Sequence, residues 1–319
     1  MLLRPFVLAI ALLAASEGRT DTTTGSRLPP SGSTGSSAPE EVVVAAPEPR
    51  YVAPTLRDRI GRVWAPVYIN GVGPFRLVLD TGANRSVIIR SVADRIGVPV
   101  THENRARLHG VTGSSIVPTI HVDSIEVGDL WLDRQRLPIV EDVFGGAEGV
   151  LGADGLADKR VFIDFRNDEI SIRHSRGRGT LPFGYTRVPV KMRDGHLLMF
   201  DVTLAGVRTK ALLDTGAQST IGNTSLREAL ARRAKQGVAD SIIGVTLDVQ
   251  QGQTFRAPPV TIADITIKGM RVTFGDIYIF EAWKMNDQPA LLIGMDIIGL
   301  LDAMIIDYKN KELQLRARR

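Results

Sequence analysis

An apolar run that ends in Asp-Thr-Gly-Ala occurs twice in this chain, and no other feature restricts its fold as much. The first copy is Phe75-Arg-Leu-Val-Leu-Asp80-Thr81-Gly82-Ala83 and the second is Thr209-Lys-Ala-Leu-Leu-Asp214-Thr215-Gly216-Ala217. Each reads as a buried strand with an abrupt turn at its carboxylate, followed by more apolar and β-branched residues. An aspartate so placed belongs at the floor of a cleft rather than on a solvated face. The copies stand 134 residues apart, the spacing of a duplicated domain rather than of a local motif.

Further blocks repeat in the same order. Gly110-Val111-Thr112 follows the first Asp by 30 residues, and Gly244-Val245-Thr246 follows the second by 30. Ile125 and Val127 match Ile265 and Ile267 at a spacing of 140, which predicts a small insertion after Thr246. Gly149-Val-Leu-Gly152-Ala-Asp154 matches Leu291-Leu-Ile-Gly294-Met-Asp296 at 142, and Asp164 matches Asp307 at 143. Each unit then holds a core of its own, which a chain of 319 residues is long enough to supply.

A formal charge of +4, with basic and acidic residues interspersed, gives no track for nucleic acid. Cysteine is absent, so there are neither disulfides nor thiolate ligands. The five histidines form no close pair and no H-E-x-x-H, and no G-x-S-x-G elbow exists; metal hydrolase and serine hydrolase chemistry are therefore disfavoured.

At the N-terminus, Met1-Leu-Leu-Arg4, an apolar Pro5 to Ala15 and small residues at Ala14-Ala15-Ser16 predict a signal peptide over 1–16. Its apolar run is about half of the roughly 20 residues that span a bilayer, so export is expected, with an uncleaved membrane anchor as the alternative. Residues 17–59 are rich in Ser, Thr, Gly and Pro and predict a disordered leader. The folded part is then divided into a first lobe over 60–176, a linker over 177–185 and a second lobe over 186–319. Alternating strands, turns such as Asn70-Gly71, and short helices at Ser86 to Ile96 and Leu226 to Lys235 place the fold in the all-β class with two barrel-like lobes.

Two identical carboxyl motifs in a duplicated chain suggest that Asp80 and Asp214 face each other across the lobe interface. Two carboxylates a few Å apart cannot both ionise cheaply, so they share a proton and supply a base and an acid at one pH. That is what attack of water on an amide requires, with no metal and no cofactor. The activity should follow a bell on the acidic side of neutral. Gly82 and Gly216 would let the backbone approach closely, and Thr81 and Thr215 could hydrogen-bond across the interface.

These residues resemble the retropepsin-type aspartic proteases, duplicated in one chain in the manner of bacterial exported or periplasmic members. Asp-Thr-Gly-Ala matches the active-site motif twice, and Val150-Leu151-Gly152 and Leu292-Ile293-Gly294 match the second signature of two apolar residues and a glycine. The resemblance implies that Gly152 and Gly294 pack against the loops holding the aspartates. It also implies a hairpin flap over the cleft. The first flap is expected at Leu108 to Ile120 around Gly110, Thr112 and Gly113, and the second at Ile243 to Pro258, with Gly244 near its start and a tip at Gln250-Gln-Gly252-Gln. Polypeptides are the implied substrates, and a chain that carries both halves implies a catalytic monomer. The alternative is a catalytically silent peptide-binding or scaffold protein of the same fold. Asp154 and Asp296 read as N-cap or turn residues, Asp164 and Asp307 as salt-bridged or solvated, and Trp64, Trp131 and Trp283 as packing residues.

Overall fold

The structure is a computed structural model, described here for residues 40–43 and 62–318 apart from 102, 129, 168, 195, 232–237 and 244–248. The signal expected at 1–16 lies outside the described residues. In chain order the first half reads β1 (Glu40–Val43), β2 (Trp64–Ile69), β3 (Val72–Leu79), β4 (Val87–Ile89), α1 (Arg90–Arg95), β5 (Arg105–His109), β6 (Ser114–Val127), β7 (Leu130–Val140) and β8 (Gly149–Leu151). A hairpin of β9 (Lys159–Asp164) and β10 (Glu169–His174) closes it. The second half opens with β11 (Thr186–Pro189), β12 (Lys191–Arg193), β13 (Leu197–Leu204), β14 (Val207–Leu213), β15 (Ile221–Gly222) and α2 (Thr224–Leu230). It continues through β16 (Val238–Ile243), β17 (Val249–Arg256), β18 (Val260–Ile262), β19 (Ile265–Ile267), β20 (Arg271–Phe274) and α3 (Tyr278–Ala282). β21 (Ala290–Ile293), α4 (Met295–Ile298), β22 (Leu301–Asp307) and β23 (Glu312–Ala317) end it.

Two β-rich lobes with short helices result. The first is an eight-stranded sheet in the order β1-β5-β6-β2-β3-β8-β4-β7, which curls so that β6 also pairs with β7. The second is a ten-stranded sheet in which β14 lies between β13 and β21. A five-stranded sheet, β10-β9-β22-β23-β11, joins the closing hairpins of both halves beneath them. Alternation explains the sheet faces: along β2, Ala65, Val67 and Ile69 are fully buried while Tyr68 is exposed. Toward the end of β3 the alternation stops and Leu77, Val78 and Leu79 are all buried, because this strand runs between β2 and β8 into the interior.

Sheet register leaves one residue of the insertion expected after Thr246 in place and relocates the rest. Ile139 and Val140 of β7 pair with Ile88 and Ile89, and Thr273 and Phe274 of β20 pair with Ile221 and Gly222, so the spacing has grown by a single residue, from 134 to 135, this far along. The turn of the β6–β7 hairpin corresponds to that of β18–β19, which matches Ile125 and Val127 with Val260 and Ile262 rather than with Ile265 and Ile267. Most of the widening, from 135 to 142, falls between β20 and β21. There residues 275–289 replace the shorter 141–148 of the first lobe, and the extra length carries α3.

Other expectations shift for local reasons. The first helix starts only at Arg90 because Val87–Ile89 is taken up by pairing with β7 and β8. The second starts at Thr224, where Asn223 Oδ1 accepts the Leu226 amide at 2.9 Å and caps it. Within the leader, Glu40–Val43 forms a strand parallel to β5, where adjacent valines interrupt the Ser/Gly/Pro-rich composition. Trp283 is fully buried, but Trp131 is 58% exposed and is not a core residue. Asp307 is neither solvated nor merely ion-paired: it is fully buried, accepting from Ser175 Oγ at 2.9 Å and from Asn310.

Candidate active site

Each Asp-Thr-Gly sits where a buried strand leaves its sheet. β3 runs parallel to β8 and β14 parallel to β21, and the last ladder bonds are from Asp80 N–H to Leu151 O and from Asp214 N–H to Ile293 O, both 3.0 Å. Asp80 is 1% exposed and Asp214 wholly buried. One oxygen of each is held by its own loop: Gly82 N–H donates to Asp80 Oδ1 at 2.8 Å, while Gly216 and Ala217 donate to Asp214 Oδ1 at 2.9 and 3.0 Å. The other oxygens, both Oδ2, are buried, and among the described residues no amide or hydroxyl donates to them. The carboxyls lie close enough for one to hydrogen-bond the other when it carries a proton.

The threonines and glycines explain how two charged loops are brought so close. Thr81 Oγ1 donates to Leu213 O at 2.7 Å and accepts the Thr215 amide at 3.1 Å. Thr215 Oγ1 returns both bonds, to Leu79 O at 2.7 Å and from the Thr81 amide at 3.1 Å. Four cross-lobe bonds thus lock the two turns in register. A Cβ on Gly216 would stand 2.5 Å from Asp80 Oδ2, and one on Gly82 would stand 3.1 Å from Asp214 Oδ2. Any side chain at either position would push into the opposite carboxyl.

This packing decides the electrostatics. Burial pushes the Asp80 carboxyl up to about 7, against the pull of the Gly82 amide, a hydrogen bond from Asp214 and the charge of Arg62. Asp214 is held well above the carboxylate range by burial first and by the Asp80 charge second. With both carboxyls raised and each bearing on the other, the two share a proton as a pair. At the position of Arg62 the second lobe has His196, which lies against the Gly82 backbone with Nδ1 2.8 Å from Asp194 O; burial lowers its basicity.

A supporting layer lies behind each loop. Cβ atoms on Gly152 and Gly294 would come within 2.4 Å of Arg85 C and 2.7 Å of Ser219 C, so both glycines pack directly on the backbone that follows the aspartates. Gly152 N–H donates to Ser86 Oγ and Gly294 N–H to Thr220 Oγ1, each at 3.1 Å. These hydroxyls in turn donate to Asp154 Oδ1 at 2.9 Å and Asp296 Oδ1 at 2.6 Å, and the Ser86 and Thr220 amides donate to the second oxygens. Asp154 and Asp296 are thus braces between loops; Asp154 lies in a turn, as its position suggested, whereas Asp296 falls in the first turn of α4, whose N-cap is Gly294. Ser86 and Thr220 were missed in the sequence, although each stands six residues past its aspartate.

The first expected flap is a hairpin of β5 and β6 whose tip is closed by Gly110 N–H to Gly113 O at 2.7 Å. Gly110 and Thr112 are buried, and Thr112 Oγ1 has no partner among the described residues. The tip reaches the other lobe: Val111 O accepts the Ile279 amide of α3 at 3.2 Å, and His109 Nδ1 lies 2.7 Å from Tyr278 Oη. No spacing in the sequence links these residues. The second hairpin is β16–β17, but its tip is not Gln250-Gln-Gly252-Gln. Ile243 pairs with Val249 and Asp240 with Gly252, which places Gly252 within a strand; the turn, with Gly244, lies outside the described residues.

Comparison with known proteins agrees with this duplicated geometry. A curated relative, Protein DNA-DAMAGE INDUCIBLE 1 of Arabidopsis thaliana, is 21% identical over 182 residues, which are 56% of this chain and 42% of that protein. The chain therefore aligns with less than half the length of that relative. The family described as aspartyl protease matches residues 65–154 and 200–297, each stretch running from the strand ahead of an Asp-Thr-Gly to the acidic brace behind it. Because the two stretches cover both lobes and more than half of the residues, the chain belongs to the aspartyl protease family.

Proposed function

We propose that the protein is an aspartic endopeptidase in which Asp80 and Asp214 form the catalytic dyad. The observation that carries the reading is the pair of buried carboxyls whose Oδ2 atoms meet no donor among the described residues and whose pKa values are driven up together. A water between those oxygens gives a proton to the ionised carboxylate as its oxygen bonds to the scissile carbonyl carbon, while the protonated partner gives its proton to the carbonyl oxygen. The resulting diol collapses as one proton moves to the amide nitrogen and the C–N bond breaks. One acid, one amine and a singly protonated dyad remain.

Polypeptides are the substrates in this reading, bound extended beneath the first hairpin with their backbone against its strands. One chain supplies both aspartates, so a monomer suffices. Export is proposed on the basic and apolar start of the sequence. The test is turnover of a mixed peptide library by Asp80→Asn and Asp214→Asn, with circular dichroism as the control for folding. Each should lose at least about a thousandfold in rate while remaining folded. Near-full activity in either folded variant would sink the assignment.

A further inference from the structure

The first hairpin is anchored at its root by pairing of β6 with β2 and β7, and its tip ends on a part of the second lobe that the first lobe lacks. That part is α3, carried by the lengthened connection 275–289; the corresponding 141–148 contains no helix. The seat is firm, for Ile279, Phe280 and Trp283 are fully buried, and Arg193 donates to the Trp283 carbonyl from the end of β12. Against it lie a buried Val111, its carbonyl bonded to the Ile279 amide, and the His109 and Tyr278 rings, parallel to within 1° with centroids 6.1 Å apart.

We infer that His109 and Tyr278 are the two halves of a cross-lobe latch, with α3 as its seat, and that Tyr278 is a positioning residue controlling how the first hairpin opens and closes over the carboxyl pair. The inference rests on the proposed peptidase reading only for what passes beneath the hairpin. A peptide strand cannot be laid under a tip whose carbonyl is bonded to the opposite lobe, so the polar contacts at the tip must break and re-form in each cycle. Two polar contacts between half-buried side chains and backbone are weak enough to open without unfolding either lobe. The gate is one-sided, because α3 has no counterpart in the first lobe.

The absence of cysteine makes the latch directly measurable. Nitroxide labels on Ser114→Cys and Glu281→Cys, both exposed positions on the two sides of the contact, report the separation of hairpin and seat in the full chain without substrate. The latched protein should give one short distance. Tyr278→Phe, which keeps the ring and removes the hydroxyl, and His109→Ala should each raise the longer-distance population about fivefold, and should speed hydrogen exchange of the Ile279 amide by the same factor. The double variant should open no further than either single one, since both remove one contact. In turnover, Tyr278→Phe should raise KM about fivefold with kcat within about twofold. Unchanged distances and exchange in a folded Tyr278→Phe would overturn the latch, as would a loss confined to kcat. If the unsubstituted chain cleaves no peptide, the peptidase reading fails while the distances still decide the latch, and His109→Ala decides alone if Tyr278→Phe does not fold.

Discussion

The two Asp-Thr-Gly loops and the two lobes around them have been held to different standards. At the loops the match is nearly atom for atom: the threonine bonds are 2.7 and 3.1 Å in both directions, and each aspartate accepts from the glycine two residues on. Away from the loops the copies part. β6 is one strand of 14 residues, whereas the equivalent stretch breaks into β17 and β18 at Ala257-Pro258-Pro259, where two consecutive prolines remove adjacent ladder donors. A single Pro118 within β6 is accommodated. The lengthened connection with α3 is the other divergence. What must remain equal is the pair of turns that meet at the twofold; what only surrounds them is free to become a hinge, a seat or a shorter strand.

The comparison is broken most easily at the glycines. Although the loops look alike, a methyl on Gly216 would come within 2.5 Å of the Asp80 carboxyl, while one on Gly82 would stand 3.1 Å from that of Asp214. Gly216→Ala should therefore displace an oxygen of the proposed dyad outright and lower kcat by about a hundredfold, because misplacement of reacting groups by about 1 Å has effects of that size. Gly82→Ala should cost about tenfold. Steady-state kinetics on one peptide compares them, and a larger loss for Gly82→Ala would show that the loops are not packed as described.

Thr81→Ala and Thr215→Ala sharpen the symmetry itself. Each removes one hydroxyl that makes two buried cross-lobe hydrogen bonds, so each should destabilise the protein by about 2–3 kcal/mol. The serine variants, which keep the hydroxyl, should lose less than half of that. Chemical denaturation gives both values, and a difference of more than about 1 kcal/mol between the two alanine variants would contradict an even grip.

The same division governs what could be read without coordinates. Duplication, the all-β class and the positions of both aspartates were legible because the twofold requires the same residue types twice: a carboxylate, a hydroxyl and a residue without Cβ. Ser86 and Thr220 were harder, since a hydroxyl is all that the brace needs and the residue type differs between copies. Most of the insertion was misplaced because apolar-x-apolar pairs occur at both Val260-Thr-Ile262 and Ile265-Thr-Ile267, and only strand register tells which of them follows the hairpin strand. His109 and Tyr278 carried no signal, being 169 residues apart and joined only by how the lobes pack.

The smallest expected difference concerns charge, where the loops have equal bonds but unequal neighbours. Asp80 has the Arg62 charge to favour its ionised form, and Asp214 has instead the Asp80 charge against it. A carboxyl whose folded pKa is raised from 3.8 to about 7 keeps a proton that the unfolded chain has released. The stability it contributes is complete below pH 3.8 and is lost as pH rises through about 7. Replacing either aspartate by asparagine removes the like-charge conflict, so both variants should be more stable than the unsubstituted protein at pH 8, on the order of 2–4 kcal/mol, and equal to it near pH 3.5. Asp214→Asn should gain more, by about 1 kcal/mol, because it leaves the aspartate that has a cation nearby, whereas Asp80→Asn leaves Asp214 buried without one. The same upward shift moves the pH window of the singly protonated pair toward neutrality, above the acidic bell that two ordinary carboxylates would give. Denaturation of the three proteins between pH 3.5 and 8 tests the sign and the order: a gain that does not vary with pH would mean that the carboxyls do not share a proton, and a larger gain for Asp80→Asn would mean that Arg62 does not act on the dyad.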